Sequence, residues 1–123
     1  MIICELAAPP GPVTNLEVLT VTSKSVTLQW SPPKSTGGTE LTSYIIERRT
    51  ESSNTWEKIA TLETSVTQHS ILNLKERETF IFRVTPENSI GMGPGTCTES
   101  IKLKTHASKE FLRVSVYCLI FNV

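Results

Sequence analysis

The sequence has little cysteine and no excess of charge of either sign. Its 123 residues include 3 cysteines, and 12 Lys and Arg residues are balanced by 12 Asp and Glu residues, so the formal net charge is zero. Nucleic acids and anionic membranes are normally bound through a basic surface that neutralises phosphate charge. We therefore expect neither a nucleic acid nor a membrane among the partners of this chain.

Cysteine pairs at metal or redox spacing are also absent. Cys4, Cys97 and Cys118 are far apart and odd in number, which argues against a zinc site, a redox motif and a disulfide framework. The Asn-x-Ser/Thr acceptor for glycosylation does not occur either. These absences favour a reducing cytoplasmic compartment over the alternative, an extracellular location.

The sequence offers no set of residues for catalysis or for binding a cofactor. His69 and His106 are the only histidines, and neither has a Cys or carboxylate partner at metal-ligand spacing. A G-x-S-x-G nucleophile motif is missing, and the glycines between residues 91 and 95 are not followed by the Lys-Ser/Thr of a phosphate loop. We expect no enzyme activity, no metal and no cofactor, and we interpret Cys97 as an inert thiol in a sheet.

The two ends of the chain lack the features of targeting and membrane segments. Residues 1–10 contain no basic segment and no sustained apolar run, so we expect no secretory signal. Residues 111–123 are nearly all apolar but fall short of the roughly 20 residues that span a bilayer. The tail at 105–123 would either add a strand to a sheet edge or pair with another molecule, or it is not native domain structure and is disordered or sticky. We expect the second, so that the domain does not need the tail.

What the sequence has instead is a series of short segments in which apolar and polar residues alternate. Phe80, Phe82 and Val84, for example, share one face of an extended segment. No stretch shows helical periodicity, and turn residues separate the segments, so a β-sandwich of two sheets is predicted. The seven predicted strands are 15–21, 25–31, 43–50, 56–62, 66–74, 79–85 and 96–104. We place the domain at 9–104, between an N-terminal tail at 1–8 and the apolar tail at 105–123.

Two segments of the predicted domain are rich in proline and glycine, one before the first strand and one between the sixth and seventh strands. Residues 9–12 are interpreted as a stiff linker that leads into the domain. Pro86 withdraws a backbone donor and should end the sixth strand, Asn88 tolerates left-handed backbone, and the glycines of residues 91–95 are interpreted as turn residues. The resulting loop is a candidate contact surface, and its members expected to be exposed and to contact another protein are Ser89, Ile90 and Met92.

Several motifs together resemble the fibronectin type III domain. They are PPGPV at 9–13, Trp30 followed by SPP, Tyr44 followed by IIERR, Leu74 six positions before Phe80, and FRV followed by ENSIGMG. The chain is most similar to the type III domains of giant sarcomeric proteins, the titin and myosin-binding group. The resemblance implies a seven-stranded immunoglobulin-like β-sandwich.

The same resemblance implies a function without catalysis. It points to a protein-interaction and spacer module of a modular intracellular scaffold of the sarcomere, a repeat unit with immunoglobulin-like or type III neighbours in a longer chain. The partners would then be other proteins. The alternative is a ligand-binding module in the ectodomain of an adhesion molecule or receptor, although no Arg-Gly-Asp tripeptide occurs in residues 89–95.

The alternating strands also predict a core. In the family, a tyrosine usually stands at the position of Phe80, and its hydroxyl bonds nearby backbone, so we expect packing of Phe80 against Leu74 to replace that bond. Pro86 stands where the family commonly has alanine. The residues predicted to form the core are Trp30, Tyr44, Ile46, Leu74, Phe80, Phe82 and Val84.

Charged residues in three of the predicted strands could share one sheet face and pair across it. Such a face is either simply solvated or binds a partner, and Arg48 and Arg83 are its candidate contact residues. The charged residues in question are Glu47, Arg48, Arg49, Lys58, Arg83 and Glu87.

Overall fold

A computed structural model describes residues 6–103, which form a sandwich of two antiparallel sheets. One sheet has the strand order β1-β2-β5, and the other has the order β4-β3-β6-β7, with β8 also paired to β6. The strands are β1 (Thr14–Val21), β2 (Val26–Ser31), β3 (Leu41–Thr50), β4 (Glu57–Leu62), β5 (Gln68–Ile71), β6 (Thr79–Asn88), β7 (Thr96–Cys97) and β8 (Ile101–Lys102). The predicted all-β sandwich is confirmed.

The predictions for the two ends of the chain lie outside the described residues. They concern Cys4, His106, Cys118 and the apolar tail from residue 105. Within residues 6–103, no helix is long and apolar enough to cross a membrane.

The core forms where the apolar faces of the two sheets meet. Along β2, every second residue is buried, beginning with Val26, because successive side chains of a strand point to opposite faces. Full burial of each large apolar side chain contributes about 1.5–3 kcal/mol relative to exposure. The structure places all seven residues of the predicted core in this buried cluster, together with Val13, Val26, Leu28, Ile71, Ile101 and Leu103.

Two aromatic side chains at the centre of the core carry polar atoms that have no partner. The rings of Trp30 and Tyr44 meet edge to face, with centroids 5.5 Å apart and an angle of 70° between the planes. The Trp30 Nε1 and the Tyr44 hydroxyl are buried, and neither forms a hydrogen bond within the described residues. Burial raises the pKa of the Tyr44 hydroxyl above its ordinary value of 10.0 because it disfavours the charged phenolate.

Phe80 is held by more than the predicted contact with Leu74. Both residues belong to the buried cluster, but the Phe80 ring also stacks on Phe82 at a centroid distance of 6.0 Å. The Arg48 guanidinium lies 5.6 Å from the centre of the Phe80 ring. The corner of the sandwich is therefore closed by aromatic and cation–π contacts at the position where the family usually has a tyrosine hydroxyl.

The prediction that Pro86 ends its strand is wrong, because β6 continues through it to Asn88. Pro86 is opposite Tyr44 on β3, while its carbonyl accepts a hydrogen bond from the Gly93 N–H on the other side of the strand. The N–H and C=O of one strand residue point to the same side. An N–H at position 86 would therefore point toward the loop before β7. Its absence removes no hydrogen bond between β6 and β3.

The last predicted strand is broken by a bulge. Cys97 pairs with Arg83 and Ile101 pairs with Phe80, so four steps on the last strand oppose three on β6. The extra residue reverses the alternation, which leaves Cys97 exposed and Ile101 buried. Cys97 and Ile101 are four positions apart, yet they lie on opposite faces of the sheet.

The fifth strand is shorter than predicted. It covers Gln68–Ile71, and Leu72 beyond its end is 63% exposed. Ile71 enters the core opposite Val26, so β5 is long enough to complete the smaller sheet without the flanking residues.

The unpartnered hydroxyl of Tyr44 leads to a prediction for the substitution Tyr44→Phe. Removing a buried hydroxyl that has no partner should leave the free energy of unfolding at pH 7 unchanged or raise it by up to about 1 kcal/mol. The folded-state pKa of Tyr44 is raised, so its contribution to stability is complete below pH 10 and is lost as the pH rises further. Urea unfolding at pH 7 and at pH 11 should show a smaller alkaline loss in the variant. A clear loss of stability at pH 7 would instead reveal a partner for the hydroxyl.

Candidate interaction surfaces

The chain enters the sandwich along a segment that is tied to it, which corrects the prediction of a linker at 9–12. The Ala8 N–H donates to the Gly37 carbonyl and the Gly11 N–H donates to the Ser35 carbonyl, both at 2.9 Å. Pro10 is buried. We call residues 8–12 the entry segment. It packs against the loop between β2 and β3, so these residues are structural parts of the module.

Asn88 joins three segments through a single side chain. Its Nδ2 donates to the carbonyls of Ala8 at 2.7 Å and Thr36 at 2.8 Å. Its Oδ1 accepts from the backbone N–H groups of Ile90 at 2.9 Å and Gly91 at 3.1 Å. The side chain is thus bonded to the entry segment, to the β2–β3 loop and to the turn after β6. Asn88 itself is 3% exposed, so its side chain is largely removed from water.

The backbone of Asn88 is not left-handed, contrary to the interpretation of its sequence. The described residues other than glycine with positive φ are Asn15, Asn73 and Arg77. Asn88 instead forms an Asx turn, in which its side-chain oxygen accepts hydrogen bonds from the backbone N–H groups two and three residues later. An Asn at the end of an apolar strand, followed by a glycine-rich turn, is the sequence signal for this role.

Of the first two glycines after Asn88, only Gly93 is required by a close contact, and neither has a positive φ. A Cβ on Gly93 would overlap the Pro10 carbonyl oxygen, whereas a Cβ on Gly91 would find its nearest neighbour, the Pro9 Cγ, at 3.9 Å. Gly37 and Gly38 in the neighbouring loop have positive φ, and a Cβ on Gly37 would also overlap the Ala8 carbonyl oxygen. Gly37 and Gly93 therefore make room for the entry segment from two sides.

The predicted contact residues Ser89, Ile90 and Met92 lie on the exposed side of this turn. Ile90 is 52% exposed and Met92 is 49% exposed. Leu6, just before the entry segment, is exposed as well. The turn and the entry segment together form one end of the sandwich, and we call this end the entry pole.

A second surface lies on the outer face of the larger sheet, around Trp56. The Arg83 guanidinium lies 4.2 Å from the centre of the Trp56 ring, and its Nε donates to the Glu47 carboxylate at 2.8 Å. The Arg49 guanidinium lies 5.2 Å from the same ring. Gly95 leaves space for Arg83, since a Cβ there would lie 2.5 Å from the Arg83 Cδ. Trp56 was not predicted to take part, although an aromatic residue near an Arg-rich strand is a signal for cation–π contacts.

The prediction that all six charged residues share one face is wrong for Arg48. Arg48 is opposite the core residue Phe82 and has its guanidinium over Phe80, on the core side at the end of the sheet. Its Nε is 3.3 Å from the Glu57 carboxylate. Arg48 and Arg83 are both ion-paired and packed on aromatic rings. The five predicted contact residues therefore do not form one surface, and the three in the turn are the most accessible.

The described residues contain no cluster of three or more His, Cys, Asp or Glu side chains that could hold a metal ion. His69 is half-buried in β5, opposite Leu28. Cys97 is a free, exposed thiol on β7.

The architecture of a three-stranded and a larger antiparallel sheet around one core defines an immunoglobulin-like β-sandwich. The family model described as the fibronectin type III domain matches residues 11–101. The chain belongs to the fibronectin type III family.

The relatives it resembles are proteins of much greater length. The chain is 47% identical to titin of Drosophila melanogaster over 110 residues, which cover 89% of this chain and 1% of that protein. It is 35% identical to human myosin-binding protein H over 74 residues, 60% of this chain and 16% of that protein. Among solved structures, a titin module from human cardiac muscle has a TM-score of 0.67 and 30% identity and covers 76% of this chain and 92% of that one.

The four hydrogen bonds of Asn88 predict a large effect for Asn88→Ala. The substitution removes four hydrogen bonds that join three segments and empties a buried side-chain position, so we expect a loss of about 2–4 kcal/mol in the free energy of unfolding. Chemical denaturation measures it, with Asn54→Ala on an exposed turn as the control. A loss below about 1 kcal/mol would show that water replaces the side chain.

Substitution by alanine should have opposite effects on stability at Gly93 and Gly91. Gly93→Ala should destabilise the domain by about 1–3 kcal/mol because the new methyl group displaces Pro10. Gly91→Ala meets only an ordinary contact and should be neutral or stabilising by up to about 1 kcal/mol through the unfolded chain. Thermal unfolding of both variants gives the comparison, and equal losses at the two positions would contradict the docking of the entry segment.

Proposed function

We infer that this chain is a non-enzymatic protein-interaction and spacer module of a modular scaffold protein of the sarcomere. The observation that carries the inference is the position of the two ends of the domain. The chain enters beside Asn88 at one end of β6 and leaves at Leu103, whose N–H donates to Glu78 just before the other end of β6. In a longer polypeptide, such a module separates the preceding segment from the following segment by the length of the sandwich.

The length that it adds is set by the central strand. β6 has 10 residues, which corresponds to about 30 Å at the rise of an antiparallel strand. Both ends of the described chain are hydrogen-bonded to segments at opposite ends of that strand. The distance between the entry and exit points therefore stays constant as long as the sandwich remains folded.

The similarity to titin and the myosin-binding proteins supports the sarcomeric assignment. This chain covers 1% of the titin relative and 16% of myosin-binding protein H, so a single domain of this kind is a small part of those proteins. The matching family model, the fibronectin type III domain, supports a module that binds rather than reacts. Other proteins and neighbouring immunoglobulin-like or type III domains are the proposed partners, in the cytoplasm.

Antibody labelling of the full chain in striated muscle fibres tests this proposal. We expect periodic labelling along the myofibrils that requires permeabilised cells. An unrelated cytoplasmic protein serves as the control for periodicity, and a known surface protein serves as the control for access. Labelling of intact cells at their surface would contradict the proposal and would support the extracellular alternative.

A further inference from the structure

A cleft at the end of the larger sheet is lined by two arginines and by several hydroxyl groups. It has a volume of about 470 Å³ and lies beside the turn between β3 and β4. Arg48 and Arg49 come from the end of β3, and Glu57 is the carboxylate that lines the cleft. The Arg48 Nε lies 3.3 Å from the Glu57 carboxylate. The lining of the cleft therefore includes one guanidinium that this carboxylate does not neutralise.

The guanidinium without a carboxylate is that of Arg49. Its Nη1 donates to the Ser53 carbonyl at 2.7 Å and to the Thr50 carbonyl at 3.4 Å. Its Nε and Nη2 form no hydrogen bond or ion pair within residues 6–103. These two nitrogens form one edge of the guanidinium, and such an edge matches the two oxygens of a carboxylate. The Arg49 side chain therefore keeps a fork of donors for an external acceptor.

Hydroxyl groups add further donors to the cleft. Thr50, Ser53 and Thr55 line it, and none of their hydroxyls donates a hydrogen bond within the described residues. The Ser53 Oγ accepts from the Thr55 N–H at 3.0 Å, so the proton of this hydroxyl is still available. A hydroxyl proton rotates to suit its acceptor. The turn thus supplies neutral donors next to the Arg49 guanidinium.

An aromatic ring and further cations border these donors. Trp56 lines the cleft and is half-buried, with the Arg49 guanidinium 5.2 Å from its ring centre. Lys58 and Arg83 are both opposite Glu47 in the sheet, so the three side chains share the outer face. Arg83 pairs with Glu47 at 2.8 Å, and Lys58 forms no ion pair within residues 6–103. Positive charge therefore exceeds negative charge on this face near the ring.

We propose that this cleft binds the carboxylate of a Glu or Asp side chain in an acidic segment of a partner protein. The carboxylate accepts from the Nε and Nη2 of Arg49 and from the hydroxyls of the turn, while an apolar neighbour in the segment covers the Trp56 ring. One guanidinium without a carboxylate matches the single negative charge of this ligand better than the roughly two charges of a phosphate. The proposal rests on the proposed function, since it specifies the protein that the module contacts.

NMR titration of the full chain with two blocked peptides tests the proposal. One peptide is acetyl-Gly-Glu-Leu-Glu-Gly-amide, and the other carries Gln in place of both Glu residues. We expect the Glu peptide to shift the signals of the Arg49 Nε–H and of the Trp56 indole N–H, and the Gln peptide to leave them unchanged. Binding should weaken as the salt concentration rises from about 20 mM to about 300 mM, because salt screens partly exposed charges.

Three variants locate the site. Arg49→Gln should weaken binding of the Glu peptide about tenfold or more, because it removes the charged fork. Arg49→Lys keeps the charge without the fork, so it should weaken binding to a smaller extent. Lys34→Gln removes one charge at an exposed position of the β2–β3 loop, at the other end of the sandwich, and is the matched control. It should bind as the unsubstituted chain does, and unchanged core resonances confirm the fold of each variant.

Four results would overturn the proposal. Equal shifts with both peptides, or none with either, would show that the cleft does not recognise a carboxylate. Full binding in both Arg49 variants would place the contact elsewhere. Binding that is about tenfold tighter for a phosphoserine peptide would make a phosphorylated segment the ligand. Concentration-dependent shifts of the same signals without peptide would make a second copy the occupant. Periodic labelling of myofibrils is independent of all four, so failure of the cleft and failure of the proposed function remain distinguishable.

Discussion

The pairing of β3 with β6 is the constraint on which the rest of the module depends. These two strands pair over residues 41–50 of β3 and 80–88 of β6, and their register places Ile46 opposite Val84. All the large core residues of this sheet then face the smaller sheet, while Glu47 and Arg83 face outward together. A slip of one residue would exchange the two faces, so core and outer surface are determined by the same register. The surface contacts are consequences of core formation.

The alternation of apolar residues is a local property, which is why the sequence could predict the core. Whether Trp30 or Phe82 is buried depends on its neighbours two positions away, and the period of a strand is the same in any fold. The resemblance to the type III family then supplied the immunoglobulin-like form of the sandwich, which alternation alone does not contain. The predicted fold is right at the level of sheets and faces, and its errors occur where strands end.

The errors at strand ends share one physical cause, namely contacts between residues far apart in sequence. Pro86 is harmless in β6 because its missing donor points toward Gly93, and only the neighbouring strand order reveals which side that is. The bulge that exposes Cys97 depends on register against β6. Asn88 looks like a turn residue from its neighbours, yet two of its four bonds reach Ala8 and Thr36. Local propensity cannot show partners at that separation.

The bonds of Asn88 also explain why an apolar entry pole is compatible with a stable fold. At the end of a sandwich, the backbone groups of loops have no ladder to join and would normally be satisfied by water or by charged side chains. Asn88 satisfies four such bonds from inside, and Gly37 and Gly93 let the entry segment supply others by direct backbone contact. The loops of the pole are then held without polar side chains on its outer side. The exposed residues therefore do not have to form hydrogen bonds to the loop backbone. An inward-facing network of this kind separates the stability of the pole from the chemistry of its surface.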